Sequence, residues 1–144
     1  MATQQNTAAV RQFWDGFNAH NLDVWDEVCT TDFINHDPGL PTPEADLATI
    51  KQTIAALLAA FPDMTSAEDD LIAAGDKVVT RRTLRGTHEG KFMDVAPTGK
   101  PVAFSGVWLA QLSNGKLKEQ WVYFDALGLL RQIGALPAPG PGGS

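Results

Sequence analysis

The sequence predicts an α+β fold in which helices come first and antiparallel strands follow. Three observations carry that reading. Apolar residues recur at helical spacing through the first sixty residues or so. From Met64 onward the chain turns to β-branched runs punctuated by turn residues. Asn114-Gly115, set between two such runs, is the strongest hairpin signal in the chain. A block of helices followed by a block of strands is the α+β pattern.

The elements follow in order. Val10, Phe13, Trp14 and Phe17 form an i, i+3, i+4, i+7 stripe, the buried face of a first helix. His20-Asn21 breaks it, and Asn21 is placed to cap a short second helix that carries Leu22, Trp25 and Val28 inward. Phe33 to Pro38 reads as a brief extended segment closed by the proline. Thr42-Pro43 supplies an N-cap and first-turn proline for a third helix with Leu47, Ile50, Ile54, Leu57, Leu58 and Phe61 at helical spacing. Pro62 ends that helix. Strands are expected over Met64–Ala73, Lys77–His88, Pro101–Leu112 and Lys116–Asp125, with a loop over Glu89–Lys100.

The chain has 144 residues, which sets one domain, residues 8–136, as the expectation. The tail 137–144 is too rich in Pro and Gly to pack and is read as flexible. With 44% hydrophobic and 19% charged residues, a folded core is expected rather than disorder. A net charge of −6 argues against nucleic acid or an anionic membrane as partner. The single cysteine, Cys29, excludes an internal disulfide and reads as a small buried hydrophobe. No His/Cys spacing suits zinc, and no phosphate loop, nucleophile elbow or calcium loop occurs. No metal and no cofactor are expected. The polar N-terminus has neither a signal-peptide nor a membrane-span pattern, so a cytoplasmic, reducing setting is the simple expectation.

If Asn114-Gly115 are the two loop residues, strict alternation pairs Trp108 with Trp121, Gly106 with Tyr123 and Phe104 with Asp125. One face of the hairpin then holds Phe104, Trp108, Trp121, Tyr123 and Asp125. An acid among aromatics either finds partners or is tuned by its surroundings for proton transfer. The bland alternative for Asp125 is a cap on the turn that follows it. Tyr123, the one tyrosine, offers a hydroxyl beside that acid, or is a plain core aromatic. Trp14, Trp108 and Trp121 suit the wall of a pocket for a flat ligand as well as they suit a core. His88 stands at a strand end, where loops carry function, or is simply structural. Arg81, Arg82 and Arg85 alternate, so at least one points inward, with an ion pair to Asp or Glu the plainest use.

Several segments taken in order resemble a known family. They are Asn35-His36-Asp37-Pro38, Phe61-Pro62-Asp63, the Gly86–Gly90 run, Pro97-Thr98-Gly99-Lys100, Asn114-Gly115-Lys116 and the run from Trp121 to Gly134. Together they resemble the nuclear transport factor 2-like superfamily and, more narrowly, the SnoaL-like polyketide cyclases or ester cyclases. The resemblance implies a cone-shaped, curved antiparallel sheet wrapped on three N-terminal helices, an apolar pocket, and frequent assembly as a homodimer or higher homo-oligomer. It maps the last-strand acid/base of the aldol-type cyclases onto Asp125 and directs His36 into the pocket. Phe104 to Leu109 lacks the Arg-x-Asp of related epoxide hydrolases and the histidine of the aldol cyclases.

The expected function is therefore a cofactor-free cyclase or isomerase acting on a small to medium apolar carbonyl compound, as in intramolecular aldol closure. In that reading Asp125 is the general acid/base and His36 and Tyr123 are donors. Trp14, His88, Phe104, Trp108 and Trp121 hold the substrate. Two other classes use the same pocket, a non-catalytic binder of hydrophobic small molecules and an epoxide hydrolase-like or hydratase enzyme; a third, an oligomerisation module, would use the open sheet face for subunits.

Overall fold

The computed structural model describes residues 2–136; Met1 and the expected tail at 137–144 lie outside the described residues. In chain order the elements are α1 (Ala2–Asn18), α2 (Val24–Val28), β1 (Cys29–His36), β2 (Glu44–Asp46) and α3 (Leu47–Ala60). They continue with β3 (Thr65–Ala74), β4 (Lys77–Thr87), β5 (Pro101–Ser113), β6 (Lys116–Phe124) and α4 (Ala126–Gln132). The six strands form one sheet in the order β2-β1-β6-β5-β4-β3. All pairings are antiparallel except β1 with β6, which is parallel, so the sheet is mixed.

The helices cover one face of this sheet. α1 buries the predicted stripe, with Val10, Phe13, Trp14 and Phe17 each at most 4% exposed. Phe13 stacks on Trp25 at 4.1 Å between ring centroids, and the Trp25 indole donates to the Phe13 carbonyl at 2.9 Å. Burying a large apolar side chain is worth about 1.5–3 kcal/mol, so this knot fixes α2 against α1. Gly16 permits the approach: a Cβ there would lie 2.9 Å from Val24 Cβ. His20, at φ 56, takes the left-handed position that ends α1.

Two predicted caps are corrected. Asn21 does not cap α2, whose N-cap position is Asp23 without a side-chain cap bond. The third helix does not start at Thr42-Pro43, because Glu44–Asp46 first adds an edge strand to β1. Asp46 then caps α3, accepting from the Thr49 amide at 2.8 Å. A three-residue strand is too short to show alternation, which is why it could not be read.

The largest correction concerns β6. Asn114 and Gly115 form the expected left-handed turn, at φ 51 and 78, and Ser113 pairs with Lys116. The register then slips: Leu112 pairs with Leu117 but Gln111 pairs with Glu119, leaving Lys118 as an extra residue. This bulge reverses the facing of every later residue on the strand. Trp108 opposes Val122, Val107 opposes Tyr123 and Gly106 opposes Phe124. Gln120, Val122 and Phe124 therefore turn toward the helices. Trp121 and Tyr123 turn to the outer face, where Tyr123 is 63% exposed.

Candidate functional site

Between the helices and the sheet lies a cavity of about 350 Å³. α1 and α2 supply Phe13, Trp14, Phe17 and Trp25; α3 supplies Ile50, Ile54 and Leu57. The sheet contributes Leu84, Phe104, Trp108, Val122 and Phe124. Trp14 and Trp108 meet edge to face at 5.0 Å, and the Arg82 guanidinium covers the Trp14 ring at 4.2 Å. Arg82 is the inward arginine of its strand. It donates to Ser66 Oγ at 2.6 Å and faces Glu68 at 3.8 Å, so its charge is engaged away from the cavity. Phe92 and Met93 reach the cavity from a tight turn in the 88–100 loop, held by reciprocal bonds between Phe92 and Val95.

Besides the indoles of Trp14, Trp25 and Trp108, five lining residues carry polar side-chain atoms: Asn35, Asp37, Thr53, Lys91 and Gln120. Thr53 spends its hydroxyl on the Thr49 carbonyl at 3.0 Å. Lys91 is exposed and faces Asp94 at 3.5 Å. The remaining three lie side by side. Phe33, at 1% exposure, sets the inward phase of β1, so Asn35 follows it inward and Asp37 continues that face just past the strand end. Asn35 is the parallel-ladder partner of Gln120, and Gln120 Nε2 donates to Asn35 Oδ1 at 3.0 Å.

Asp37 is 4% exposed. The Asp-Pro-Gly sequence folds as an Asx turn, with the Gly39 amide donating to Asp37 Oδ1 at 2.9 Å. Its backbone amide donates to the Pro43 carbonyl at 2.8 Å. Burial pushes the carboxyl up to about 6, against a smaller opposing pull from the Gly39 amide. Among the described residues no cation contacts it. A buried acid that titrates near neutrality without an ion-pair partner is suited to accepting and returning a proton.

The predicted site residues divide. Trp14, Phe104 and Trp108 line the cavity; Asp125, His36, Tyr123, Trp121 and His88 do not. Asp125 is exposed and caps α4, accepting from the Gly128 amide at 2.8 Å. Tyr123 and Trp121 are on the outer face because of the bulge at Lys118. His36 alternates outward from Phe33 and Asn35. It stacks on Trp121 at 5.2 Å, with Glu119 at 2.5 Å from Nε2 and Glu44 at 3.3 Å from Nδ1. His88 is fully buried but stands behind Phe61, its Nδ1 3.0 Å from the Thr98 hydroxyl. Sequence reasoning passed over Asn35, Asp37 and Gln120. For the first two a signal existed, namely their even spacing from the aromatic Phe33.

An open, curved six-stranded sheet with helices over one face and an aromatic cavity between them is the nuclear transport factor 2-like α+β fold. The SnoaL-like polyketide cyclase family profile matches residues 7–133, and the chain belongs to that family. It is 27% identical over 140 residues to the aklanonic acid methyl ester cyclase DnrD of Streptomyces peucetius, covering 93% of each chain. Among solved structures, AclR from Streptomyces galilaeus superposes with a TM-score of 0.85 at 27% identity, covering 94% of this chain and 99% of that one. IdmH from Streptomyces antibioticus gives 0.81 at 30% identity, covering 90% and 99%. Among the described residues no helix is long and apolar enough to cross a membrane, and no cluster of three or more His, Cys, Asp or Glu could hold a metal ion.

Proposed function

We propose that this chain is a cofactor-free cyclase or isomerase in which Asp37, rather than Asp125, is the general acid/base on an apolar carbonyl substrate. The observation that carries the reading is a carboxyl 4% exposed, held in an Asx turn and opening on an aromatic cavity. As a carboxylate it removes a proton from the carbon next to a substrate carbonyl, leaving an enolate. The enolate carbon attacks a second carbonyl of the same molecule and forms the ring bond. The new alkoxide takes its proton back from Asp37. The balance closes with no other reactant, as an isomerisation. The apolar walls exclude water and strengthen each polar contact made with the enolate. DnrD, by its name a methyl ester cyclase, supports ring closure as the reaction.

The test is deuterium exchange at the α-carbon of 2-tetralone in D2O, followed by NMR between pH 4.5 and 8. The enzyme-dependent rate rises as pH passes about 6 and levels above it, as the Asp37 carboxyl ionises. Asp37→Asn abolishes it. Full exchange activity in a folded Asp37→Asn variant would end this reading.

The same reading includes a homodimer joined through the outer sheet face. Ile72, Val107 and Tyr123 stand there 61%, 39% and 63% exposed, an apolar set that a second copy would cover.

A further inference from the structure

The cavity's two amides carry information beyond the acid. Asn35 and Gln120 are 2% and 3% exposed, and both line the cavity. One bond joins them, from Gln120 Nε2 to Asn35 Oδ1. That bond uses the Asn35 oxygen, and among the described residues its amino group has no hydrogen-bond partner. Among the described residues the fully occluded, unpartnered side-chain atoms are Trp14 Nε1, Thr80 Oγ1, Arg82 Nη1 and His88 Nε2, and neither Asn35 Nδ2 nor Gln120 Oε1 is one of them. Their free ends therefore have open space before them, and that space is the cavity. A buried amide donor that is open to a cavity lacks only a ligand acceptor.

We infer that Asn35 Nδ2 is the donor that binds the substrate carbonyl, and that Gln120 is the positioning residue that turns this donor toward the ligand. Resting on the proposed role of Asp37, the assignment also sets how a carbonyl would lie between donor and base. Asn35 and Asp37 are two residues apart on one face, about 6.6 Å along an extended chain. A carbonyl oxygen and the hydrogen on its neighbouring carbon bridge a donor and a base so spaced. The oxygen that Asn35 holds is the one on which enolate charge develops, so the bond strengthens as Asp37 takes the proton. An engineered apolar cavity of about 150 Å³ takes one benzene. A volume of about 350 Å³ suits two to three fused rings.

The experiment compares 2-tetralone with tetralin, which has the same rings and no carbonyl. Binding is followed by the fluorescence of Trp14, Trp25 and Trp108, and exchange kinetics are recorded for the ketone. Wild type prefers the ketone by about fivefold, the scale of one neutral hydrogen bond. Asn35→Leu brings the ratio to about one while tetralin still binds. Gln120→Met, which frees the Asn35 amide to rotate, lowers the ratio and raises KM. Gln120→Glu keeps the shape but only accepts when ionised, so at pH 8 it draws the Asn35 amino group away from the cavity and lowers the ratio too. A merely structural amide pair would change melting temperature and leave the ketone-to-hydrocarbon ratio where it was. An unchanged ratio in Asn35→Leu, or equal binding of the two compounds by wild type, overturns the assignment; loss of exchange in Asp37→Asn would then still uphold the acid/base. If wild type binds neither compound and exchanges no deuterium, the cavity reading falls together with this one.

Discussion

Asp37→Asn should make the protein more stable, and the gain should depend on pH. Burial raises this carboxyl from 3.8 to about 6, which penalises its ionised form by about 3 kcal/mol. Between those two values the folded chain holds a proton that the unfolded chain releases. Folding stability therefore falls as pH rises from about 4 to about 6, and stays lower above that. Asparagine removes the buried charge and keeps an oxygen for the Gly39 amide. At pH 8 the variant should exceed wild type by up to about 3 kcal/mol. For a chain of 144 residues that is about 10 °C in melting temperature. At pH 4, where the native carboxyl is already protonated, the difference should nearly vanish. Paired thermal melts of the two proteins at both pH values decide it. A variant less stable than wild type at pH 8, or a difference that ignores pH, would refute the claim that this acid sits desolvated and unpaired.

Three further outcomes are expected. Asp125→Ala removes the α4 cap and should cost about 1 kcal/mol in urea denaturation, with the 2-tetralone exchange rate unchanged. Gly106→Ala puts a Cβ 2.7 Å from Phe124 Cβ and 2.8 Å from the Tyr123 carbonyl; it should destabilise by about 1–3 kcal/mol and weaken 2-tetralone binding as Phe124 is displaced. On the proposed dimer, wild type should scatter light as a dimer, and Val107→Glu with Tyr123→Glu as a monomer with a melting temperature lowered at dilute concentration.

The three N-terminal helices were legible because a buried face repeats every three to four residues, as Phe13, Trp14 and Phe17 show, whereas the seven-residue α4 was too short to reveal such a repeat. The hairpin turn was legible because left-handed backbone at both central positions favours Asn-Gly. What escaped was the phase of β6. Lys118 is an ordinary strand residue with nothing in its chemistry to mark an extra position, and alternation carried past it assigns every following side chain to the wrong side. Asp125 looked like a pocket acid partly for that reason, and partly because the family resemblance maps its last-strand acid/base there. Asp37 was quoted within its motif, but attention went to His36, whose imidazole is the more familiar catalytic group. The burial of Phe33 decides between those neighbours, and in a short strand a single aromatic is thin ground for setting the phase. The edge strand Glu44–Asp46 has three residues and no pattern to find.

The bulge at Lys118 makes β6 a text with two interleaved messages. One set of alternate letters, Gln120, Val122 and Phe124, spells the chemistry of the cavity. The other, Glu119, Trp121 and Tyr123, spells the surface offered to the outside. Deleting one residue at the bulge would transpose the two, sending a carboxylate, an indole and a phenol inward at a stroke. Substitution edits such a strand one letter at a time, whereas a single-residue insertion or deletion exchanges cavity lining and outer surface together. In this chain the length of one hairpin decides which side chains meet the cavity as surely as their identity does.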